Sequence, residues 1–331
     1  MSVDQAEFAR AARMVSGWKR PLLVTHTRAD GDAVGCVAAM RSVLRGRGVA
    51  PLSLLFEPPS QKYAWVFGDD PPGIWDLSVR SPDLARVDGV LVLDTCTYSQ
   101  LLPLADWLRA ARVPKVVVDH HLTRDLPADE LLIDEFASAA CRLLYDWCRA
   151  ASWTIDPQTA LALFVGIATD TGWFRFSNTD PHTFEAAAEL LPSGLAIDEI
   201  YRRIYECETA ARVRLFGAAL STLELYYGER LAVLTVTNEM LARCGAQRAD
   251  TENLINEPLK IASVEGSVLL AEDEAGVTRV SFRSKGAVDV ASLAVTFGGG
   301  GHSRAAGARI AQPLAVVKAE VVKRFGQHAG W

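Results

Sequence analysis

Short, wholly apolar runs alternate with amphipathic stretches along the first 170 residues, and several runs stop abruptly at acidic or histidine residues. Residues 4–18 predict an amphipathic helix with Phe8, Ala11, Ala12 and Val15 on one side. Residues 21–25 predict a buried strand. A polar loop from His26 to Asp32 follows, then a helix from about Ala33 to Arg45. Leu52 to Phe56 predicts a second strand, and 57–88, rich in Pro, Asp and Gly, an irregular connection. Runs 89–94 and 113–118 predict two more buried strands, one ending in Asp94 and the other running into Asp119-His120-His121. Helices are expected at about 139–151 and 157–169, the second with Asp156 as N-cap and Pro157 at its first position. Its body is apolar nearly all round, so it should be buried, and it delivers Asp170 at its end.

This alternation predicts an α/β fold: an N-terminal parallel sheet covered by helices on both faces. In such sheets ligand sites lie beyond the carboxyl ends of the strands. The loops after Thr25, Leu93 and Val118 can therefore converge on one crevice. Residues 180–225 read as helical, and from Glu229 the texture changes to strands at 231–236, 262–271 and 277–284, with a last helix at 313–325. The expected organisation is a catalytic domain over 1–191, a helical linker over 192–228 and a smaller C-terminal α+β substrate-binding domain over 229–331.

Composition narrows the function. The 331 residues are 50% hydrophobic and 22% charged, ordinary for a chain that buries a core. A net charge of −6 provides no global field for long duplex nucleic acid, so a phosphate-bearing substrate needs a local basic cluster or metal. Six scattered cysteines without a C-x-x-C pair predict free thiols rather than a disulfide framework. The N-terminal segment lacks a secretory apolar run, and no stretch of about 18 apolar residues could span a membrane. A cytoplasmic protein with no membrane association is the expectation, with the oligomeric state left open, a homodimer included.

The candidate chemistry is concentrated. Four of the six histidines fall in short motifs. His26, Asp30 and Asp32 lie within seven residues of a strand-to-helix loop, where Gly31 could turn the backbone without Cβ cost; Asp32 could instead cap the following helix. Asp94 could be an ordinary strand-end turn residue. Two adjacent imidazoles, His120 and His121, suit one metal ligand and one phosphate contact. Asp170 sits where the helix dipole opposes a carboxylate, so a nearby cation explains it better than a cap. Four aspartates and two histidines exceed the needs of one ion. Two divalent ions about 3.5–4 Å apart, sharing one carboxylate, would use them all and activate a water for attack at phosphorus. Oxygen and imidazole donors without thiolate suit Mn²⁺ first, with Mg²⁺ or Co²⁺ as substitutes. Downstream, Arg283 and the four-glycine run ending in His302 offer an anion grip, the glycines as a nest of exposed amides.

The strings HTRADGDAVG, LVLDT, VVVDHH, ATDTGWFRFSNT, SFRSK and FGGGGHSRAAG resemble, in order and spacing, the DHH phosphoesterase superfamily with its associated C-terminal domain. They look most like the bacterial nanoRNase/pAp phosphatase branch. The resemblance implies one metal on His26, Asp30 and a bridging Asp94, and a second on Asp32, Asp94, His120 and Asp170. It implies that His121 contacts the scissile phosphate, with Asp94 and Asp32 completing the catalytic set. Arg283 with Gly299, Gly300, Gly301 and His302 would bind the substrate's phosphate end, and Arg175 would be a further substrate contact. The implied activity is hydrolysis of short oligoribonucleotides to mononucleotides, or of 3′-phosphoadenosine 5′-phosphate to AMP. A cyclic di-AMP or pApA phosphodiesterase and a non-catalytic nucleotide sensor are the alternatives; a sensor would be expected to have lost a ligand. Two departures from the family pattern, Gly35-Cys36 where Gly-Ser is common and Ala139-Ala140-Cys141 in place of a small hydroxyl-containing run, are read as touching no proposed ligand.

Overall fold

The computed structural model describes residues 3–75, 84–273 and 276–331 and divides into two units, Met1–Cys207 and Glu208–Trp331. In the first, β1 (Leu22–Val24), β2 (Leu52–Leu55), β3 (Gly73–Ile74), β4 (Val90–Leu93), β5 (Lys115–Asp119) and β6 (Glu130–Ile133) form one sheet. All neighbours are parallel, in the order β3-β2-β1-β4-β5-β6. The order reverses between β1 and β4, and the crevice at such a reversal is where open parallel sheets bind ligands.

Alternate strand residues bury into opposite layers, as a two-residue side-chain period requires. Leu23, Leu91, Leu93, Val116 and Val118 pack with α1 (Gln5–Ser16), α2 (Gly31–Gly46), α5 (Ala140–Ala150) and α6 (Pro157–Asp170). Leu22, Val24, Val90, Val92 and Val117 face Leu101 and Leu104, and Leu108 of α4 (Ala105–Ala110). A short helix, α3 (Gln61–Ala64), and the strand β3 occupy part of the segment expected to be irregular, and its residues 76–83 lie outside the described residues. Helices α7 (Pro181–Leu190) and α8 (Ile197–Tyr205) complete the unit.

Caps explain where the helices begin. Asp4 and Glu7 form a capping box on α1, and the Asp156 side chain accepts from the Thr159 amide at the start of α6. On α2 the cap is Asp30, whose Oδ1 accepts the amides of Asp32 and Ala33, so the reading of Asp32 as cap is corrected. The reading of Gly31 as a turn glycine is corrected too. Gly31 is helical, and its value is close approach: an added Cβ would lie 2.3 Å from Thr169 Oγ1 on α6. Gly35, one turn on, would meet the Ala162 carbonyl at 2.6 Å. Missing side chains therefore let α2 and α6 touch, which brings the first turn of α2 to the last turn of α6.

The second unit holds α9 (Ala210–Leu220), β7 (Glu224–Tyr226), β8 (Leu231–Val236), α10 (Asn238–Cys244), β9 (Gly266–Glu272), β10 (Thr278–Ser284), α11 (Val290–Val295), β11 (Gly300–His302), β12 (Ala305–Ile310) and α12 (Leu314–Ala329). The expected 192–228 linker is thus divided between the units, with α8 in the first and α9 in the second. The sheet order is β11-β12-β10-β9-β8-β7, mixed rather than parallel: only β8 and β9 run together. Val280 and Phe282 bury toward α11 and α12, which leaves Arg279, Ser281 and Arg283 on the opposite face. No helix among the described residues is long and apolar enough to cross a membrane.

Candidate metal centre and phosphate-binding face

The ends of β1, β4 and β5 and of α6 meet at one cluster. His26 Nε2 lies 3.4 Å from Asp94 Oδ2 and 4.0 Å from Asp30 Oδ1. His120 Nε2 lies 3.6 Å from Asp94 Oδ1, 3.7 Å from Asp170 Oδ2 and 3.9 Å from Asp32 Oδ2. Two donor groups, His26–Asp30–Asp94 and Asp32–His120–Asp170, share no residue, a third, Asp94–His120–His121, overlaps both, and the two oxygens of buried Asp94 point one toward His26 and one toward His120.

Neighbours aim these donors. The other ring nitrogen of His26 lies 2.9 Å from the Thr27 carbonyl, and that of His120 lies 3.1 Å from the Ala137 carbonyl, leaving both Nε2 atoms for the cluster. Asp32 accepts the amides of Ala140 and Cys141 at 2.6 and 2.9 Å. Asp94 adopts φ +58°, a left-handed conformation that costs most residues about 1–2 kcal/mol and that Asp tolerates better than most. Its buried Oδ1 has no hydrogen-bond donor, a costly condition that a cation would relieve.

His121 stands beside this cluster. Its Nδ1 is 2.7 Å from Asp119 Oδ1, which also accepts the amides of His120 and His121. Asp119 is fully buried and received no role from the sequence, although its place in Asp-His-His was a signal for one. The carbonyl of Ala137 had no sequence signal, because a backbone acceptor can come from any residue type.

The chain after Asp170 turns through three successive left-handed residues, Gly172, Trp173 and Phe174. Thr171 holds this turn, its hydroxyl accepting the Phe174 amide and its carbonyl those of Arg175 and Phe176. Trp173 and Phe174 pack with Phe164, Tyr201, Tyr205 and Phe184, whereas Phe176 is 53% exposed. Of the three aromatics after Asp170, Phe176 alone presents an open ring. The Arg175 guanidinium lies 5.8 Å from that ring, and its Nε donates to the Gly172 carbonyl.

The second unit carries its own candidate face. Register pairs Arg283 with Ala305 and Ala305 with His302, so Arg283 and His302 share one face in one cross-strand row. Ala305, Gly300 and Gly307 keep that face low. Burial draws the Arg283 guanidinium below its usual range, with no charged neighbour among the causes. The expected nest of free glycine amides is corrected. The Gly298 and Gly299 amides donate to the carbonyls of Val295 and Ala294, and Gly300–His302 is an edge strand. A Cβ on Gly299 would lie 2.1 Å from the Gly307 carbonyl, and one on Gly301 2.5 Å from that of Ala305, so these glycines serve strand approach. Of the other basic residues near this face, Arg309 pairs with Asp273, and Lys285 donates to the Ile261 carbonyl.

Residues 21–167 match the family model described as DHH family, N-terminal domain, and residues 229–328 that of the DHHA1 domain. The bifunctional oligoribonuclease and PAP phosphatase NrnA of Thermus thermophilus is 31% identical over 87% of this chain and 83% of its own. The chain belongs to the DHH family. The NrnA enzyme of Bacillus subtilis is 26% identical over 90% of this DHH-family chain and 91% of its own. A crystal structure of an exopolyphosphatase-related protein from Bacteroides fragilis superposes with a TM-score of 0.87 at 25% identity, covering 99% of this chain and 96% of that one. The DHH-family protein is a hydrolase of phosphoester bonds.

Crowding the acids has a consequence for this family member. Burial, then neighbouring acids, hold Asp94 well above the carboxylate range. The same causes in the same order raise Asp32 to about 6, and burial first and Asp32 second raise Asp170 to about 7. Folded-state values above unfolded ones mean that Asp32 and Asp170 contribute stability to the metal-free protein that grows as pH falls through 7 and 6. A divalent cation, which neutralises these acids, should therefore raise Tm more at pH 8 than at pH 5.5. Thermal melts of stripped and Mn²⁺-loaded protein at both pH values check this; an equal or larger shift at pH 5.5 would contradict the clustering of charge.

Proposed function

We propose that this hydrolase cleaves short oligoribonucleotides to mononucleotides and removes the 3′-phosphate of 3′-phosphoadenosine 5′-phosphate, using two divalent cations, manganese first among them, in the cytoplasm. The observation that carries the reading is buried Asp94 with one oxygen toward His26 and the other toward His120, in a chain similar along most of its length to enzymes named for these two activities. The donors fit such a pair: oxygen and imidazole atoms of hard and borderline character, four acids in excess of local positive charge, and a buried Asp94 oxygen that has no donor. When bound, two divalent cations supply Lewis-acid stabilisation of the attacking and leaving oxygens.

His26, Asp30 and Asp94 would hold one cation, and Asp32, Asp94, His120 and Asp170 the other. His121, held by Asp119, would contact the scissile phosphate and keep a proton at Nε2 for the leaving oxygen. Arg283, with His302 in the same row, would grip a terminal phosphate, the arginine in bidentate fashion. Exposed Phe176 offers a stacking surface for a base, with Arg175 beside it. The overall negative charge suits a short substrate held at one end rather than a long duplex.

Metal-stripped protein, given Mn²⁺, Mg²⁺ or Co²⁺ and offered pAp, di- to pentaribonucleotides, cyclic di-AMP and pyrophosphate, tests the reading. Preference for pyrophosphate with inert nucleotides would end it. Arg283→Ala is expected to raise KM for substrates with a free terminal phosphate by about tenfold or more, the worth of one charge-assisted contact, with little change for substrates lacking it. Equal effects on both classes would remove Arg283 from the phosphate grip.

A further inference from the structure

Cys36 and Cys141, which lie in the two segments read above as departures, are 105 residues apart and meet behind Asp32. The reading that neither touches a proposed ligand is corrected. Cys36 Sγ donates to Asp32 Oδ1 at 3.9 Å, the Cys141 amide donates to the same oxygen, and the Cys141 thiol lies 3.5 Å from the Asp32 carbonyl oxygen. The two sulfurs are 3.5 Å apart. All three residues are buried, and their donor atoms lie within 4.8 Å of one another. Hydrolysis makes no use of either thiol.

We propose that Asp32, Cys36 and Cys141 form a site for one thiophilic divalent cation, of the zinc and cadmium class, separate from the hydrolytic cluster but sharing the Asp32 carboxylate. The spacing favours it. Two thiolates on a tetrahedral zinc with Zn–S near 2.3 Å stand roughly 3.8 Å apart, close to the separation present here. The carboxylate is divided between the two chemistries: Oδ2 lies toward His120, while Oδ1 faces the thiols. Hard cations sort to the oxygen–imidazole side and soft ones to the sulfur side. Gly166 of α6 packs directly against these donors, an approach that only the absence of a side chain allows. A Cβ there would lie 2.2 Å from Cys141 Sγ and 2.7 Å from Asp32 Oδ1.

Binding engages both sulfurs as thiolates. It also draws Asp32 Oδ1 away from the Cys141 amide. Two dications on one carboxylate repel, so occupancy of the sulfur site weakens the hydrolytic cluster, and by linkage the reverse. The site therefore makes this enzyme sensitive to soft metals where a chain with hydroxyls at these positions would not be.

Cadmium is the probe, applied to the full chain carrying Cys207→Ser, which removes the one exposed thiol. Cadmium titration is expected to produce an ultraviolet thiolate charge-transfer band that saturates at one equivalent. Cadmium-edge X-ray absorption of the same sample should show two sulfur neighbours. Cys36→Ser and Cys141→Ser, with folding checked by circular dichroism, should each weaken the band-forming affinity at least about tenfold. Absence of the band, or a shell of oxygen and nitrogen alone, overturns the proposal without any appeal to the variants. A sulfur shell in a protein that ignores every nucleotide would sink the proposed substrates and leave this site standing.

Discussion

Asp94→Asn is expected to lower kcat/KM for phosphoester hydrolysis by about a thousandfold or more while raising the Tm of the metal-free protein. The opposite signs follow from one fact. Asp94 is buried, and its two oxygens face His26 and His120, one toward each donor group. Removing its charge takes the shared ligand from both proposed cations. Without cations, that same charge is unfavourable: burial and then Asp32, Asp30, Asp119 and Asp170 all oppose it. Asparagine keeps the size and also tolerates the left-handed backbone at this position, so the comparison isolates charge. Activity assays in Mn²⁺ and thermal melts after chelation read the two effects. Retention of a tenth of the wild-type rate, or a lower metal-free Tm, would count against Asp94 as the shared ligand.

His121→Gln is expected to reduce kcat by about 10²- to 10⁴-fold, the range for loss of a positioned acid–base group, with smaller change in metal affinity. Asp119→Asn should act differently. The Asp119 hydrogen bond is the first cause of the raised His121 pKa. A raised value keeps the imidazolium to higher pH, so activity that needs the protonated form is lost only as pH climbs past it. Without the carboxylate, the alkaline limb of the pH–rate profile should move to lower pH, with metal binding retained. A profile that stays in place while activity falls would mean that Asp119 merely supports the loop.

Much of the first unit was legible because its signals are local. An apolar run that stops at Asp94 or at Asp119-His120-His121 reports a buried strand and the polar donors at its end within a few residues. Asp156-Pro157 reports a helix start in two. The small elements of the second unit carried weaker signals. The edge strand Gly300–His302 reads as a loop because glycine has low strand propensity, and here it is tolerated by close approach to β12. Gly31 misleads in the same way, since a glycine that turns a chain and a glycine that admits a neighbouring helix look alike in one dimension.

The sequence by itself determined the kinds of donor present and the strand and helix ends that bear them, because periodicity, caps and strand termini are short-range properties of the chain. Only the tertiary structure decided how those ends combine. Strand order set β4 between β1 and β5, and the absent side chains of Gly31 and Gly35 let α2 close on α6, bringing Asp32 and Asp170 to His120. The left-handed backbone at Asp94 and the meeting of Cys36 with Cys141 also belong to it. Contacts between segments a hundred residues apart depend on register and close packing, which no local pattern encodes.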